Sequence, residues 1–183
     1  MASLYEKLSK EMKAAGITPR TATARSWLQS KISALKIPQS RVSVLNDPKR
    51  AQGVGSALIG KMYFFSYDPK TENLPVYDRF PLVLPMDMYQ DGFLGLNLHY
   101  LDPYNRLYLL DLLHDFINNN KYDSTTRFKL AYSTLNASKR YKIIQPCIKR
   151  YLFSHIVSSL IYIEPDSWET AIFLPTEKMV YKR

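Results

Sequence analysis

The sequence of 183 residues predicts an α+β fold, in which a small antiparallel β barrel or curled sheet at about 60–101 is flanked by helices and preceded by a basic helical arm. The apolar runs FPLVLPMDMY and FLGLNLHYL are separated by Asp91-Gly92, a dipeptide typical of a type I′ hairpin turn with positive φ at both central residues. A third run, KMYFFSY, is rich in the aromatic residues that fit a pleated surface. Because a stable sheet needs about three strands, we expect this run to pair with the hairpin.

Two helices are predicted before the sheet. The first has a capping box that starts at Ser3, and Gly16 stands where a helix commonly ends. The second is predicted to begin with Thr18-Pro19 as N-cap and first residue, and to run to about Leu35. The Pro-, Gly- and Ser-containing stretch that follows indicates a connecting arm.

Two prolines limit the hydrogen bonds that the strand predicted at 80–89 can form. Pro81 and Pro85 cannot donate the hydrogen bonds of a β ladder, so this strand is predicted to be an edge, or to be interrupted or bulged. The segment DPKTENLPVYDRF before it carries two further prolines and several turn formers, and it is predicted to be a structured loop.

Further helices are predicted after the hairpin, at about 103–118, 124–137 and 146–158. Asp102 is the expected N-cap of the first, since a proline follows it at the first helical position. A proline likewise opens the third. The tail is expected to form a helical turn around Trp168 and then an extended segment.

Charge is unevenly distributed along the chain, whose formal net charge is +9. Residues 1–61 carry eleven Lys or Arg and three acids, residues 62–122 carry four and eight, and residues 123–183 carry ten and five. An acidic hairpin region with basic flanks points to a polyanionic partner. We divide the chain into a basic helical arm and linker at 1–59 and an α+β main domain at 60–183.

A dense basic segment lies between Lys121 and Tyr151, with eight Lys or Arg, one acid, and Tyr141 interleaved. Basic residues that alternate with aromatics can bind phosphates and stack on exposed bases. Core tyrosines with ordinary surface lysines are an equally good interpretation of this segment alone. The residues predicted to contact DNA are Lys31, Arg41, Lys49, Arg50, Lys61, Lys139, Arg140, Lys142, Lys149 and Arg150.

A P-loop match in the segment GSALIGKM is interpreted as accidental. Its spacing runs from Gly55 to Gly60-Lys61, but Met62 stands where a Ser or Thr would bind magnesium. A P-loop also opens a helix, whereas this segment leads into the aromatic strand. We therefore predict no nucleotide hydrolysis and no cofactor.

Other catalytic and metal chemistry is also not expected. Cys147 is the only cysteine, which excludes internal disulfides; it precedes Lys149, a neighbour that lowers the pKa of an exposed thiol, but no triad partner is identifiable. No metal-ligand spacing links the histidines, which are interpreted as structural: His99, His114 and His155. The carboxylates that could gather for a magnesium-dependent nuclease have turn, cap or surface roles instead: Asp87, Asp91, Asp102, Asp111 and Asp115. We predict that the protein is not an enzyme and has no metal, no small-molecule substrate and no membrane segment.

The segment LPVYDRFPLVLPMDMYQDGFLGLNLHYL and the runs QPCIKRYL and EPDSWETAIFLPTEKM resemble a family of virion proteins from large contractile-tailed bacteriophages. The resemblance covers roughly residues 58–179, and the N-terminal helices match it only in their short, basic character. We associate this family with the DNA end protectors, low-copy proteins that sit at the packaged genome end and shield it from host exonuclease. The resemblance implies no catalytic residues.

Two functions remain open at this point. In the first, the protein is a phage structural protein of the head or neck that binds the end of the packaged double-stranded DNA, after assembly in the host cytoplasm beside portal, neck or tail components. In the second, it is a neck, tail-completion or baseplate adaptor that contacts other virion proteins without binding DNA. Salt-sensitive binding to linear DNA supports the first, and location in an isolated tail or baseplate supports the second.

Overall fold

The computed structural model contains two helices and eight strands whose bounds lie within the residues that it describes. It describes residues 4–18, 21–34, 48–57, 59–71, 74–102, 104–106, 108–109, 113, 133, 136–164, 168 and 178–181. The helices are α1 (Leu4–Ala14) and α2 (Ala22–Ala34). The strands are β1 (Ala51–Gln52), β2 (Met62–Phe64), β3 (Val76–Asp78), β4 (Leu82–Tyr89), β5 (Gly92–Asn97), β6 (Ile148–Leu152), β7 (Leu160–Ile163) and β8 (Met179–Tyr181).

Six strands form one antiparallel sheet in the order β1-β7-β2-β4-β5-β6, and β3 pairs with β8 in a separate two-stranded ribbon. The α+β class and the pairing of β2 with the hairpin are confirmed. The predicted barrel is wrong, because closure needs the two end strands to pair and β1 and β6 stand at opposite ends of the sheet. The sheet also includes strands from outside 60–101, at residues 51–52, 148–152 and 160–163.

Both faces of the sheet are covered, which explains why its strands are almost continuously apolar. In β2, Met62 and Phe64 belong to one hydrophobic cluster, while Tyr63 belongs to the other. Leu8 of α1 and Leu28 of α2 pack in the first cluster, so the N-terminal helices contribute to the same core. The second cluster is mainly aromatic and includes the edge-to-face ring pairs that Phe65 makes in the core.

The hairpin between β4 and β5 is confirmed, but its predicted turn is wrong. Tyr89 pairs with Gly92, so the two turn residues are Gln90 and Asp91, and Gly92 is the first residue of β5 without positive φ. Glycine is required there by a close approach, since a Cβ on Gly92 would lie 2.0 Å from the backbone oxygen of Tyr151 in β6. The neighbouring strand, which is distant in sequence, sets this requirement.

Of the alternatives predicted for the proline-containing strand, the edge position does not apply, because β4 lies between β2 and β5. The predicted bulge is confirmed, since the register with β5 shifts between Pro85 and Asp87. The bulge lets a residue without an N–H group stand inside a sheet. The Pro85 carbonyl accepts a hydrogen bond of 3.1 Å from Gly60, which has positive φ.

The end of α1 lies where the sequence predicts it, whereas the start of α2 is shifted. Gly16 has a φ of 67°, and with Ile17 it closes a Schellman motif onto the end of α1, as predicted. The start of α2 was predicted three residues too early, because the cap is Thr21, whose Oγ1 accepts from the Ala24 N–H at 3.1 Å. Thr18 instead accepts a hydrogen bond from the Thr21 hydroxyl.

The helix predicted at 146–158 is wrong. Pro146 opens a single 3-10 turn (Gln145–Cys147), which leads directly into β6; a second 3-10 turn (Phe153–His155) follows. The Asp102 cap is confirmed, since its carboxylate accepts from the Tyr104 and Asn105 N–H groups. The described residues within 103–118 and 124–137 are helical, and the remaining residues of those two spans lie outside the described part of the chain.

The tail follows its prediction. Trp168 is helical and buried, and its indole N–H donates to the Ile163 carbonyl at 3.0 Å. The extended segment after it is β8, which pairs with β3. The division of the chain at residue 59 stays a prediction.

Candidate nucleic-acid interface

Half of the residues predicted to bind DNA lie in one stretch that ends in β6, at the edge of the sheet. The stretch starts with consecutive turns, in which the N–H groups of Lys139, Arg140 and Tyr141 each donate to the carbonyl three residues earlier. Ile144 and Cys147 are buried and attach these turns to the core. The basic residues of the stretch, which we call the β6 basic surface, are Lys139, Arg140, Lys142, Lys149 and Arg150.

The side chains just before Ile144 are exposed to solvent. Arg140 and Lys142 are exposed, Tyr141 keeps 64% of its surface accessible and Ile143 keeps 55%. No acidic residue occurs between positions 136 and 150. Tyr141 therefore fits the nucleic-acid interpretation of the basic segment, whereas Tyr151, at 3% exposure, fits the core interpretation.

Two cations of the β6 basic surface are oriented by tyrosine rings. The Lys149 Nζ lies 4.7 Å from the centre of the Tyr100 ring. The Arg150 guanidinium lies 3.8 Å from the centre of the Tyr89 ring and forms an ion pair with Asp91 in the hairpin turn. Lys149 forms no ion pair with any residue that the structure describes, whereas Asp91 offsets part of the charge of Arg150.

A second basic group lies toward the opposite end of the sheet. The Arg50 carbonyl accepts from the Tyr162 N–H at 2.9 Å, and the Lys61 Nζ lies 4.9 Å from the centre of the Tyr162 ring. We call Lys49, Arg50 and Lys61 the β1 basic surface. Lys61 precedes a strand rather than a helix, which agrees with the rejection of the P-loop.

The two remaining candidates do not join either surface. The Lys31 Nζ forms an ion pair of 2.7 Å with Glu11 of α1 and lies 5.2 Å from the centre of the Trp27 ring. This residue therefore connects α2 to α1. Arg41 lies outside the described residues.

A groove of about 340 Å³ runs beside β6, and sequence reasoning missed it. Residues of β3, β6, the loop between β2 and β3 and the 3-10 turn Leu98–Tyr100 line it, including Lys70, Tyr77, Tyr100 and Lys149. The loop was interpreted as a connector, so Lys70 carried no signal of its own. A residue of a connecting loop becomes a candidate only when the fold places it beside β6.

A buried polar network lies beneath this groove. The Asp78 carboxylate is within 2.5 Å of His99 Nδ1 and also accepts hydrogen bonds from the Asn97 side chain and the Phe80 N–H. Burial by itself raises the pKa of Asp78, but the hydrogen bond and charge of His99 and the hydrogen bond of Asn97 outweigh it and hold the pKa below its ordinary value. Asn97 in turn donates to the hydroxyl of the buried Tyr151 at 3.0 Å. His99 thus has the structural role that was predicted for it.

The reactive setting considered for Cys147 is not present. The thiol is buried, and burial raises its pKa to about 11 even though Lys149 lies nearby. A helix start, which would have favoured the thiolate, is absent at this position because the residue ends a 3-10 turn. This cysteine is part of the core.

The carboxylates that were considered for a nuclease site have local structural partners wherever the structure describes them. Asp87 accepts from the Met88 N–H, and Asp91 pairs with Arg150. Asp111 and Asp115 lie outside the described residues, as does His114. In the part of the chain that the structure describes, no three His, Cys, Asp or Glu side chains gather in a way that could hold a metal ion. No described helix is long and apolar enough to cross a membrane.

The edge strand, its basic turns and the adjacent groove define a surface suited to a nucleic-acid-binding structural protein. Comparison with known proteins gives the family: the model described as "Phage T4 terminal DNA protecting protein" matches residues 12–183. The match covers almost the whole chain, so the protein belongs to this family of structural, DNA-protecting phage proteins. Protection of DNA ends is therefore its function, and it is a virion-associated protein that binds DNA ends. No curated protein and no solved structure matches the chain.

Proposed function

We propose that the protein holds the end of the packaged double-stranded DNA through its phosphates, that the β6 basic surface makes these contacts, and that it protects the end without catalysis. The observation that carries this proposal is the stretch at 139–150, where five basic residues occur without an acid on ordered turns and an edge strand. Ordered turns fix the backbone that carries these cations before binding, which lowers the entropy lost on contact with DNA.

Contacts of this kind suit a protein that must act on any terminal sequence. Lys and Arg contacts to phosphates supply affinity and orientation without reading bases. Tyr141, whose ring is largely exposed, adds a surface for stacking on the end of the duplex. The β1 basic surface supplies a second, more distant contact to the same polyanion.

We place the protein in the head or neck of the virion, next to portal, neck or tail components. The packaged genome end must be accessible to a protein that covers it, and this supports a position where DNA enters the head. A purely adaptor function in the neck, tail or baseplate is the second candidate, and location of the protein in an isolated tail or baseplate would favour it.

The proposal is tested by exonuclease digestion of linear duplex DNA. We expect the purified wild-type protein to slow digestion, and Arg140→Ala/Lys142→Ala to lose most of this protection because two exposed phosphate contacts are removed. The matched control is Lys10→Ala/Lys13→Ala, which removes the same charge from exposed positions of α1. End-labelled DNA incubated without nuclease should be recovered unchanged.

Two results would contradict the proposal. If both double variants protect as well as the wild type, the β6 basic surface is not the contact. If the wild type binds DNA but cleaves or modifies the labelled end, the protein is catalytic.

A further inference from the structure

We propose that the groove beside β6 binds an unpaired terminal nucleotide of the DNA, so that the protein recognises frayed or overhanging ends. This inference rests on the proposed function, because the β6 basic surface would guide the duplex to the groove. Lys149 belongs to both: it lies on the β6 basic surface and lines the groove. A strand that leaves the duplex there would meet the groove next.

The charge of the groove favours an anionic occupant. Lys70 is exposed, and neither Lys70 nor Lys149 forms an ion pair with any residue that the structure describes. Asp78 also lines the groove, but its carboxylate is almost fully buried and engaged by His99. Arg150 lines the groove as well, but Asp91 pairs with it, so Lys70 and Lys149 supply most of the positive charge that an incoming ligand meets. Their charges match the phosphates of one or two nucleotides.

The aromatic rings of the groove provide faces for a base. Tyr77 and Tyr100 are half-buried and line the groove; because the Lys149 Nζ lies over the Tyr100 ring, Tyr77 is the ring that we expect to stack on a base. Beneath them, Tyr67 and Tyr151 pack edge to face with ring centres 5.0 Å apart. Proteins bind single-stranded nucleic acid by stacking bases on aromatic rings in a positively charged groove. This groove combines aromatic side chains with nearby cations.

The size of the groove excludes a duplex. Its volume of about 340 Å³ is at the lower end of the range of ligand pockets, about 300–1,000 Å³. A base enters such a space only after it has left the helical stack, and the energetic cost is lowest for a base that is already unpaired. An apolar peptide would fill the same volume but would leave the positive charges of Lys70 and Lys149 uncompensated.

The experiment compares the affinity of the full-length protein for two duplexes with equal numbers of phosphates, one blunt and one with a short unpaired overhang. We expect the wild type to bind the overhang duplex about 10-fold more tightly, the scale of one stacked base. Lys70→Gln/Tyr77→Ala should lose this preference and keep its affinity for the blunt duplex. Arg140→Ala/Lys142→Ala, the matched control, should bind both duplexes more weakly and keep the preference.

A crosslinking measurement on the wild-type protein avoids any effect of substitutions on folding. Photoactivated 5-iododeoxyuridine at the unpaired terminal position should crosslink to the peptide that contains Tyr77 or Tyr100, and the same group inside the duplex should not. Equal affinity for both duplexes, or a terminal crosslink elsewhere, overturns the groove inference while DNA binding stands. Binding to neither duplex at low salt overturns the proposed function, and the groove inference with it.

Discussion

Replacement of Gly92 by Val is expected to lower the free energy of unfolding by about 3 kcal/mol or more, at the upper end of the usual cost of overpacking. A Cβ at this position would lie 2.0 Å from the Tyr151 carbonyl oxygen. Rotation of the side chain cannot relieve this contact, since the backbone fixes the Cβ position. The β5 and β6 strands would have to separate locally, and chemical denaturation measures the loss.

Gly55→Ala is the control for this substitution. A Cβ at Gly55 meets no atom within 4 Å, and its φ is not positive, so the stability should change by less than about 0.5 kcal/mol. Equal stabilities of Gly92→Val and the wild type would show that β6 does not pair with β5 in this register.

Replacement of Asp78 by Ala is the second substitution with a large expected effect, a loss of about 3–5 kcal/mol. It removes the acceptor for Asn97 and for the Phe80 N–H, together with the partner of His99. The network joins β3 to the end of β5, so we expect the groove to be lost as well. Asp78→Asn keeps an acceptor and should cost less, about 1–3 kcal/mol.

The same carboxylate gives a pH dependence of defined sign. Because the pKa of Asp78 is lowered in the folded protein, its contribution to stability is present above the unfolded pKa of about 3.9 and is lost as the pH falls through the folded pKa. The stability advantage of the wild type over Asp78→Asn should therefore shrink below about pH 4. An advantage that stays constant as the pH falls from neutrality to about 3 would contradict the lowered pKa.

Features that depend on neighbouring residues in the chain could be predicted from the sequence. Gly16 ends α1, Asp102 caps its helix and Trp168 sits on a helical turn, because capping and turn geometry need only a few consecutive residues. The P-loop match could be rejected for the same reason, since the aromatic strand after it is a local signal.

Features that depend on partners distant in the chain could not be predicted. The segment after Pro146 has a cap-like start and apolar residues that suit either a helix or a strand, and pairing with β5 selects the strand. Gly92 was predicted to need a positive φ in the turn, and that prediction is wrong; glycine is required by an approach of β6 that sequence spacing does not reveal.

The candidate site likewise has a part that could be predicted from the sequence and a part that could not. The β6 basic surface is visible in the sequence as a run of charges without acids. Lys31 has the same local character, yet Glu11 from another helix pairs with it. The groove was missed because Lys70 and Lys149 come from distant segments that only the folded chain brings together.

Binding of DNA phosphates by the β6 basic surface is tested most directly by the salt dependence of the affinity of the purified protein for linear duplex DNA. With about five phosphate contacts, the slope of log K against log salt should be near −4 to −5. Arg140→Ala/Lys142→Ala/Lys149→Ala should bring the slope to about −2, since each lost contact removes about one unit. Lys49→Ala/Arg50→Ala/Lys61→Ala, which removes the same charge from the β1 basic surface, should change it less. Equal changes in the two triple variants, or no binding to linear or closed-circular DNA at low salt, would contradict the assignment of DNA binding to β6.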